Sequence, residues 1–386
     1  MSETAATIGV IGGGQLARMM HAASIGLGLR LRLLAEGPDV SAAQVVREVS
    51  VGDYTDPATV ATFAAGCDAV TFDHEHVPTA ILHDLERAGV AVRPGPDALV
   101  HAQDKAVMRS RLTALGVPCP AYRVVADAAE LVAFGDQQGW PVIAKTSRGG
   151  YDGKGVWKLD SAADAAVPFD GLQGLRRDAV VIAEEFVDFA RELSVLVVRR
   201  AGGQAVAYPV SETVQTDGIC TATVTPAPGL RADQERDLKA MALRIAEALG
   251  VVGVLAVELM QARDGRIVVN ELAMRPHNTG HWTIDGARTS QFENHLRAVA
   301  DLPLGSTAMT APVAVMVNVL GGSRPDLVAG LGKVLADDPG LRVQLYGKQV
   351  VPGRKVGHVT AVGEDVDATM ERAWRAANYL MGAGDE

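Results

Sequence analysis

Apolar positions along this chain fall into two kinds of run, and the two kinds alternate. Short Val-, Leu- and Ile-rich runs have strand character, and longer runs repeat near 3.6 residues. Thr7–Ile11 reads as a buried strand leading into Gly12-Gly13-Gly14-Gln15-Leu16-Ala17, and the helix that follows has Leu16, Met19, Met20 and Ala23 on one face. Further strands are expected at 29–35, 67–72 and 91–93, with a helix at 79–88. Strands alternating with helices argue a parallel sheet with crossover helices. That unit breaks at Pro94-Gly95-Pro96.

Beyond a helix at 104–115 the pattern becomes strand-rich, at 140–145, 155–159, 180–186, 192–199 and 205–210. Leu238, Met241, Ala242, Ile245 and Leu249 recur at helical spacing over 232–249, and Gly250 ends that helix. A hairpin follows, with strands at 251–261 and 266–273 and a turn at Asp264-Gly265. A third piece, from about Pro303, has strands at 312–320 and 343–346 and a closing helix at 368–380.

The hairpin carries the most informative chemistry. A two-residue turn at Asp264-Gly265 places Glu258 directly across from Glu271 on one sheet face. A three-residue loop would shift the register. Like charges opposed at that range are destabilising, so a cation is expected between them. Oxygen ligands with bridging phosphates suit magnesium. The alternative is two solvated glutamates on an exposed hairpin.

Two glycine clusters compete as nucleotide sites. Gly12, Gly14 and Ala17 match a dinucleotide fingerprint, and Glu36 sits where a ribose-binding acid belongs. The second cluster is Lys145 followed by Arg148-Gly149-Gly150-Tyr151-Asp152-Gly153-Lys154-Gly155. It joins two strands and lacks the helix of a Walker loop, which suits a flap closing over phosphates. Lys145 would reach a phosphate as a point charge; a plain hairpin tip is the bland alternative.

After Glu271 comes Arg275-Pro276-His277-Asn278-Thr279-Gly280-His281-Trp282. Arg275 could hold a planar oxyanion and His277 could transfer protons, while His281 is as readily structural. Asp73-His74-Glu75-His76 invites a metal reading, but strand alternation separates the acids from the histidines. Glu75 is better placed for a substrate. Lys348 and the segment Pro352-Gly353-Arg354-Lys355-Val356-Gly357-His358 form either a solvated basic turn or a receptor for a substrate phosphate.

Composition narrows the class. The 386 residues are 48% hydrophobic and 21% charged with net charge −10, so no nucleic-acid footprint is visible. Cys67, Cys119 and Cys220 lack metal-ligand spacing and suit buried thiols in a reducing compartment. No apolar run approaches the roughly 20 residues that cross a bilayer, and the first residues lack the pattern of a signal peptide. A cytoplasmic protein without membrane or nucleic-acid partners is expected.

In this order, Ile8-Gly9-Val10-Ile11-Gly12-Gly13-Gly14-Gln15-Leu16, Gly149–Gly155, Glu271–Trp282 and Gly353–His358 resemble the ATP-grasp enzymes, and among them the 5-(carboxyamino)imidazole ribonucleotide synthases of purine biosynthesis. The resemblance runs from about Ile8 to Leu380. It implies an α/β fold with a Rossmann-like N-terminal domain (1–104), a two-part ATP-grasp domain (105–302) and a small mixed C-terminal domain (303–386). It implies that Lys105 and Lys145 bind ATP phosphates under a loop of Gly150, Tyr151, Asp152, Gly153, Lys154, Gly155 and Val156, with Tyr151 and Asp152 also near the ribonucleotide. Glu184, Glu185, Phe186 and Val187 would frame adenine, Glu192 would take the ribose, and Asn270 and Gln215 would lie by the nucleotide. Glu258 and Glu271 would hold Mg2+. Arg275 and His277 would act with Lys145 in catalysis at the bicarbonate end. Gln15, Leu16, Glu75, Lys348, Arg354 and Lys355 would receive 5-aminoimidazole ribonucleotide. A homodimer is implied by the same resemblance.

Two positions depart from the family pattern. Phe72-Asp73-His74-Glu75 replaces the usual Phe-Glu-x-Glu, and Gln215 stands where a histidine is common. The nearest rival is the sister enzyme that formylates glycinamide ribonucleotide with formate, whose N-terminal loop carries Glu where this chain has Gln15. A nicotinamide dehydrogenase using Gly12–Ala17 and a non-catalytic nucleotide-binding regulator are more distant alternatives.

Overall fold

The computed structural model describes residues 6–149, 155–171, 179–216 and 218–383. The first sheet holds β1 (Thr7–Ile11), β2 (Arg30–Ala35), β3 (Glu48–Val51) and β4 (Ala69–Phe72), parallel and in the order β3-β2-β1-β4. Every residue of β1 is buried, as a continuous apolar run in a parallel sheet requires. The helix Gln15–Leu27 lays Leu16, Met19 and Met20 into the cluster of Ile8, Val10, Leu31 and Leu33. Two expectations are corrected here. Residues 91–93 contribute only a single bridge, Val70 to Val92. The short and largely exposed β3, with little apolar signal, was not anticipated.

The second sheet holds β5 (Tyr122–Val125), β6 (Val142–Thr146), β7 (Val156–Leu159) and β8 (Val181–Glu185), antiparallel in the order β5-β8-β6-β7. Lys145 is the fourth residue of β6 and pairs with Val156 of β7, so the glycine-rich loop does join two neighbouring strands.

The third sheet is the largest, with nine strands among the described residues. These are β9 (Phe189–Arg199), β10 (Ala205–Ala207), β11 (Ser211–Thr216), β12 (Ile219–Thr225), β13 (Gly253–Ala262), β14 (Ile267–Ala273), β15 (Val313–Leu320), β16 (Arg342–Leu345) and β17 (Lys355–Gly363). Their order is β14-β13-β9-β11-β12-β15-β17-β16, with β10 on β9. Strands from the middle and the end of the chain therefore share one hydrogen-bonded ladder through β12 and β15. The helix Ala232–Ala248 buries Leu238, Ala242 and Ile245 in the cluster that includes Leu193, Val195 and Leu255. Strands β11, β12 and β17 were not expected; β17 begins at Lys355, inside the segment that read as a basic turn.

The hairpin corrects the register argument while keeping its outcome. The connection is a three-residue loop, Arg263-Asp264-Gly265, closed by the Ala262 amide on the Arg266 carbonyl at 2.8 Å. Beside it the ladder runs Gln261–Ile267, Met260–Val268 and Leu259–Val269, one place away from the expected pairing. A bulge next to Leu259 then makes Glu258 pair with Glu271. Asn270 is the extra residue, and a bulge sets two residues against one. Asn270 and Glu271 are accordingly both half-buried in a strand whose other residues are mostly buried.

Candidate active site

Glu258 and Glu271 line one cleft of about 420 Å³ with Gln15, Glu75, Lys105, Arg148, Arg275, His277, Asn278 and Lys355. The first, second and third sheets or their connecting segments all supply walls. Glu271 accepts from the Lys105 ammonium at 3.2 Å, and Glu258 faces His277 Nε2 at 3.2 Å. Burial pushes the Glu258 carboxyl up, but His277, Arg275 and Lys355 outweigh it and hold the group below the usual carboxylate range. Glu192 faces the same side of the sheet one ladder step away, and burial together with Glu258 pushes it up to about 7. Three carboxylates crowd here.

That crowding fits a hard dication. Among the described residues no group of three or more His, Cys, Asp or Glu side chains is arranged to hold a metal ion. Glu258 and Glu271 could supply only part of a shell, leaving the remaining oxygens to bound phosphates and water. The Asp73–His76 segment is committed elsewhere. Asp73 accepts from the amides of Gly14 and of Ala17 (3.1 Å), His74 faces Glu36 at 3.3 Å, and the His74 and His76 rings stack at 5.1 Å. Glu36 in turn accepts from the Gly13 amide at 3.1 Å. The amide donors that a dinucleotide pyrophosphate would need are thus filled by the protein's own carboxylates. A Cβ at Gly14 would lie 2.3 Å from Asp73 Oδ2, so this close approach needs glycine.

Beside the bulge lies a buried ion cluster. Lys145 Nζ lies 2.8 Å from Glu184 and donates to Asn270 Oδ1 at 3.2 Å. Arg109, fully buried, donates to Glu184 (2.7 Å) and to the carbonyls of Val269 and Asn270 at 3.0 and 2.8 Å. Burial pushes Glu184 up, yet the two cations bring it down to about 2. Glu184 therefore orients Lys145 while Arg109 ties the helix Lys105–Ala114 to the bulge. Arg109 was missed in the sequence; its only signal is a position beside Met108 and Leu112 on the buried helix face.

Neighbouring expectations fall around this cluster. Glu185 pairs with Arg266 at 3.0 Å, Phe186 stays 39% exposed with the Lys158 ammonium 5.2 Å from its ring, and Val187 packs with Met260, Ala262 and Val268. Gln215 lies at the irregularity where β11 pairs with β12. Val156 opens β7, and Gly149 and Gly155 have φ of +78° and +72°. Gly150, Tyr151, Asp152, Gly153 and Lys154 lie outside the described residues. Arg148 pairs at 2.8 Å with Asp104, which also caps the helix Lys105–Ala114.

At the other end Arg275 Nε bonds Glu75 at 2.7 Å, and Glu75 also accepts from the Met274 amide. Burial pushes Glu75 up, but Arg275 and that amide leave it below its ordinary range. The Lys348 ammonium donates to Gln15, joining the C-terminal segment to the first glycine cluster. Burial pulls Lys348 down, and Arg354 and Lys355 nearby add to the fall. Lys348, Lys355 and the exposed Arg354 thus place like charges close together in an acidic chain, an arrangement that favours an anion. His281 is fully buried and stacks on His358 at 5.0 Å, a structural placement.

Comparison with known proteins agrees with this architecture. Family models match residues 5–103 as a ribonucleotide synthetase preATP-grasp domain, 110–292 as an ATP-grasp domain, and 314–372 as a phosphoribosylaminoimidazole carboxylase C-terminal domain. The chain is 51% identical over 383 residues to the N5-carboxyaminoimidazole ribonucleotide synthase of Mycobacterium tuberculosis, covering 98% of this chain and 89% of that one. It superposes with a TM-score of 0.86 and 38% identity on the Thermus thermophilus N5-carboxyaminoimidazole ribonucleotide synthetase, covering 98% and 99% of the two chains. The Aspergillus clavatus synthase in complex with ADP and 5-aminoimidazole ribonucleotide gives 0.87 at 29% identity, with the same coverage.

Proposed function

We infer from one premise, that the chain belongs to the N5-carboxyaminoimidazole ribonucleotide synthase family of ATP-grasp enzymes, what each part of the cleft does. The protein is an ATP-dependent carbon–nitrogen ligase that carboxylates 5-aminoimidazole ribonucleotide in purine biosynthesis. The observation that carries the assignment is the opposed pair Glu258 and Glu271, set between a lysine-rich end and a second cationic end.

Lys105 and Lys145 bind the ATP phosphates, the Glu184–Val187 segment frames adenine, and Glu192 takes the ribose hydroxyls. Magnesium, where bound, would be held by Glu258 and Glu271 and would neutralise charge on the triphosphate. Bicarbonate lies by Arg275, whose guanidinium keeps its charge in the buried site because Glu75, Asp73 and Glu258 surround it. The bicarbonate oxygen attacks the γ-phosphorus, giving carboxyphosphate and ADP. The exocyclic amine of the ribonucleotide then takes the carboxyl group, phosphate leaves, and His277 is placed to carry the amine's proton at Nε2. Gln15, Leu16 and Glu75 face the ribonucleotide, with Lys348, Arg354 and Lys355 on its phosphate. Phosphoryl transfer between anions is limited by repulsion and positioning, which is what these cations supply.

The division 1–104, 105–302 and 303–386 follows the same functional parts, and a cytoplasmic homodimer is the working form. Among the described residues no helix is long and apolar enough to cross a membrane. ADP release measured with aminoimidazole ribonucleotide, with bicarbonate supplied or withheld, tests the reading. Release should require bicarbonate. Turnover with formate and glycinamide ribonucleotide instead would assign the chain to the sister reaction.

A further inference from the structure

His277 is held by its main chain as well as by its ring. Its ring Nδ1 lies 2.9 Å from Thr279 Oγ1, which lies 2.8 Å from Ser194 Oγ on β9. Its amide donates to Gln291 Oε1 at 2.9 Å, and its carbonyl accepts from Gln291 Nε2 at 2.7 Å. Gln291 is fully buried in the first turn of the helix Gln291–Val299, which follows the loop it grips. The surroundings are shaped around this grip. The Gln291 amide donates to Thr283 Oγ1 at 2.9 Å, and a Cβ at Gly280 would lie 2.5 Å from Gln291 Oε1.

The two bonds also fix which way the carboxamide points, because the His277 amide can only donate and its carbonyl can only accept. Gln291 Nε2 is then a donor toward His281 Nδ1 at 3.2 Å, so the His281 proton sits on Nε2. One side chain sets the backbone of His277 and the tautomer of the histidine four residues on.

We propose that Gln291 is a positioning residue, a two-pronged clamp on the His277 peptide groups that aims His277 Nε2 at Glu258 and the reacting end of the cleft. The inference rests on the proton-carrying role assigned to His277. Gln291 does not line the cleft and reaches the reacting end through that histidine. A bidentate side-chain clamp is suited to this, since two bonds to one residue fix its rotation as well as its place. Misplacement of a catalytic group by about 1 Å can cost on the order of 100-fold in rate.

The test is a double-mutant cycle on ADP formation with His277→Ala, Gln291→Leu and the double variant, with the KM for ATP and the thermal midpoint measured alongside. Gln291→Leu should lower kcat at least about tenfold and leave the ATP KM within about twofold. In the His277→Ala background it should cost less than about twofold more, because groups that act as a unit are not additive. Gln291→Glu, which keeps the acceptor for the His277 amide, should recover part of the loss. That recovery should grow as pH falls and the carboxyl gains the proton needed to donate to the carbonyl. Full multiplication of the two losses, or an ATP KM that rises as far as kcat falls, would overturn the clamp alone. A near-normal His277→Ala enzyme would overturn the role of His277 and the clamp with it.

Discussion

Glu192 is the residue whose ionisation reports most directly on the crowded acid site. Its ordinary carboxyl value of 4.5 is raised to about 7, by burial first and Glu258 second. The folded form thus holds a proton that the unfolded chain has already released. The stability this contributes is fully present below about pH 4.5 and is lost as pH rises through about 7. In metal-free buffer Glu192→Gln should therefore raise the thermal midpoint relative to the parent near pH 8, with the gain vanishing near pH 5. Equal midpoints at both would mean that neither burial nor Glu258 holds the Glu192 proton. Part of the arrangement at this scale was legible: Gln15, Lys105, Glu258 and Arg275 line one cleft, while Lys145 donates to Asn270, the neighbour of Glu271. Arg109 and Gln291 were not: the partners of Arg109 are a carboxylate and carbonyls far away in sequence, and those of Gln291 are backbone groups, which carry no side-chain signal. Asp73 shows the same limit, since its task of accepting amides at Gly14 and Ala17 exists only once β4 lies beside β1.

The hairpin β13–β14 is the element on which the site turns. Pattern and turn residues located both strands to within two residues, yet the turn has three connecting residues rather than two. The bulge at Asn270 restores the pairing, and no local residue preference announces a bulge between Val269 and Glu271. It presents Asn270 to Lys145 and Glu271 to Lys105 from adjacent positions, which an even ladder would send to opposite faces. Arg109 secures the bulge through two carbonyls and neutralises Glu184. Arg109→Met should cost about 3–5 kcal/mol of stability, the scale of leaving a buried partner charge short of its counter-charge. Denaturant unfolding checks this; a loss under about 1 kcal/mol would show that Lys145 alone suffices for Glu184.

For the whole molecule, the consequence is that a small parallel sheet, a four-stranded antiparallel sheet and a long antiparallel sheet meet at one cleft. The alternating and strand-rich stretches showed the class of each part, but not that β12 and β15 join middle and end in one ladder, because strand partners across long connections leave no local pattern. The join carries β17 and its basic lead-in to Gln15, and under the proposed function the two substrate ends should then be separable. Arg354, which is exposed, should show this. Arg354→Ala should raise the ribonucleotide KM at least about tenfold, the loss of one charge-assisted contact of about 1.5–3 kcal/mol, and leave the ATP KM near its parent value. Equal changes in both would remove the phosphate-receptor role.

The central claim is that Glu258 and Glu271 together hold a divalent cation beside the triphosphate, and manganese titration followed by electron paramagnetic resonance tests it most directly. The parent enzyme should bind Mn2+ tightly only with nucleotide present. Glu258→Gln and Glu271→Gln should each weaken that binding at least about tenfold, and Glu271→Ala should slow ATP turnover at least about 100-fold while the protein stays folded. Nucleotide-dependent Mn2+ binding that is unchanged in both glutamine variants would contradict the account.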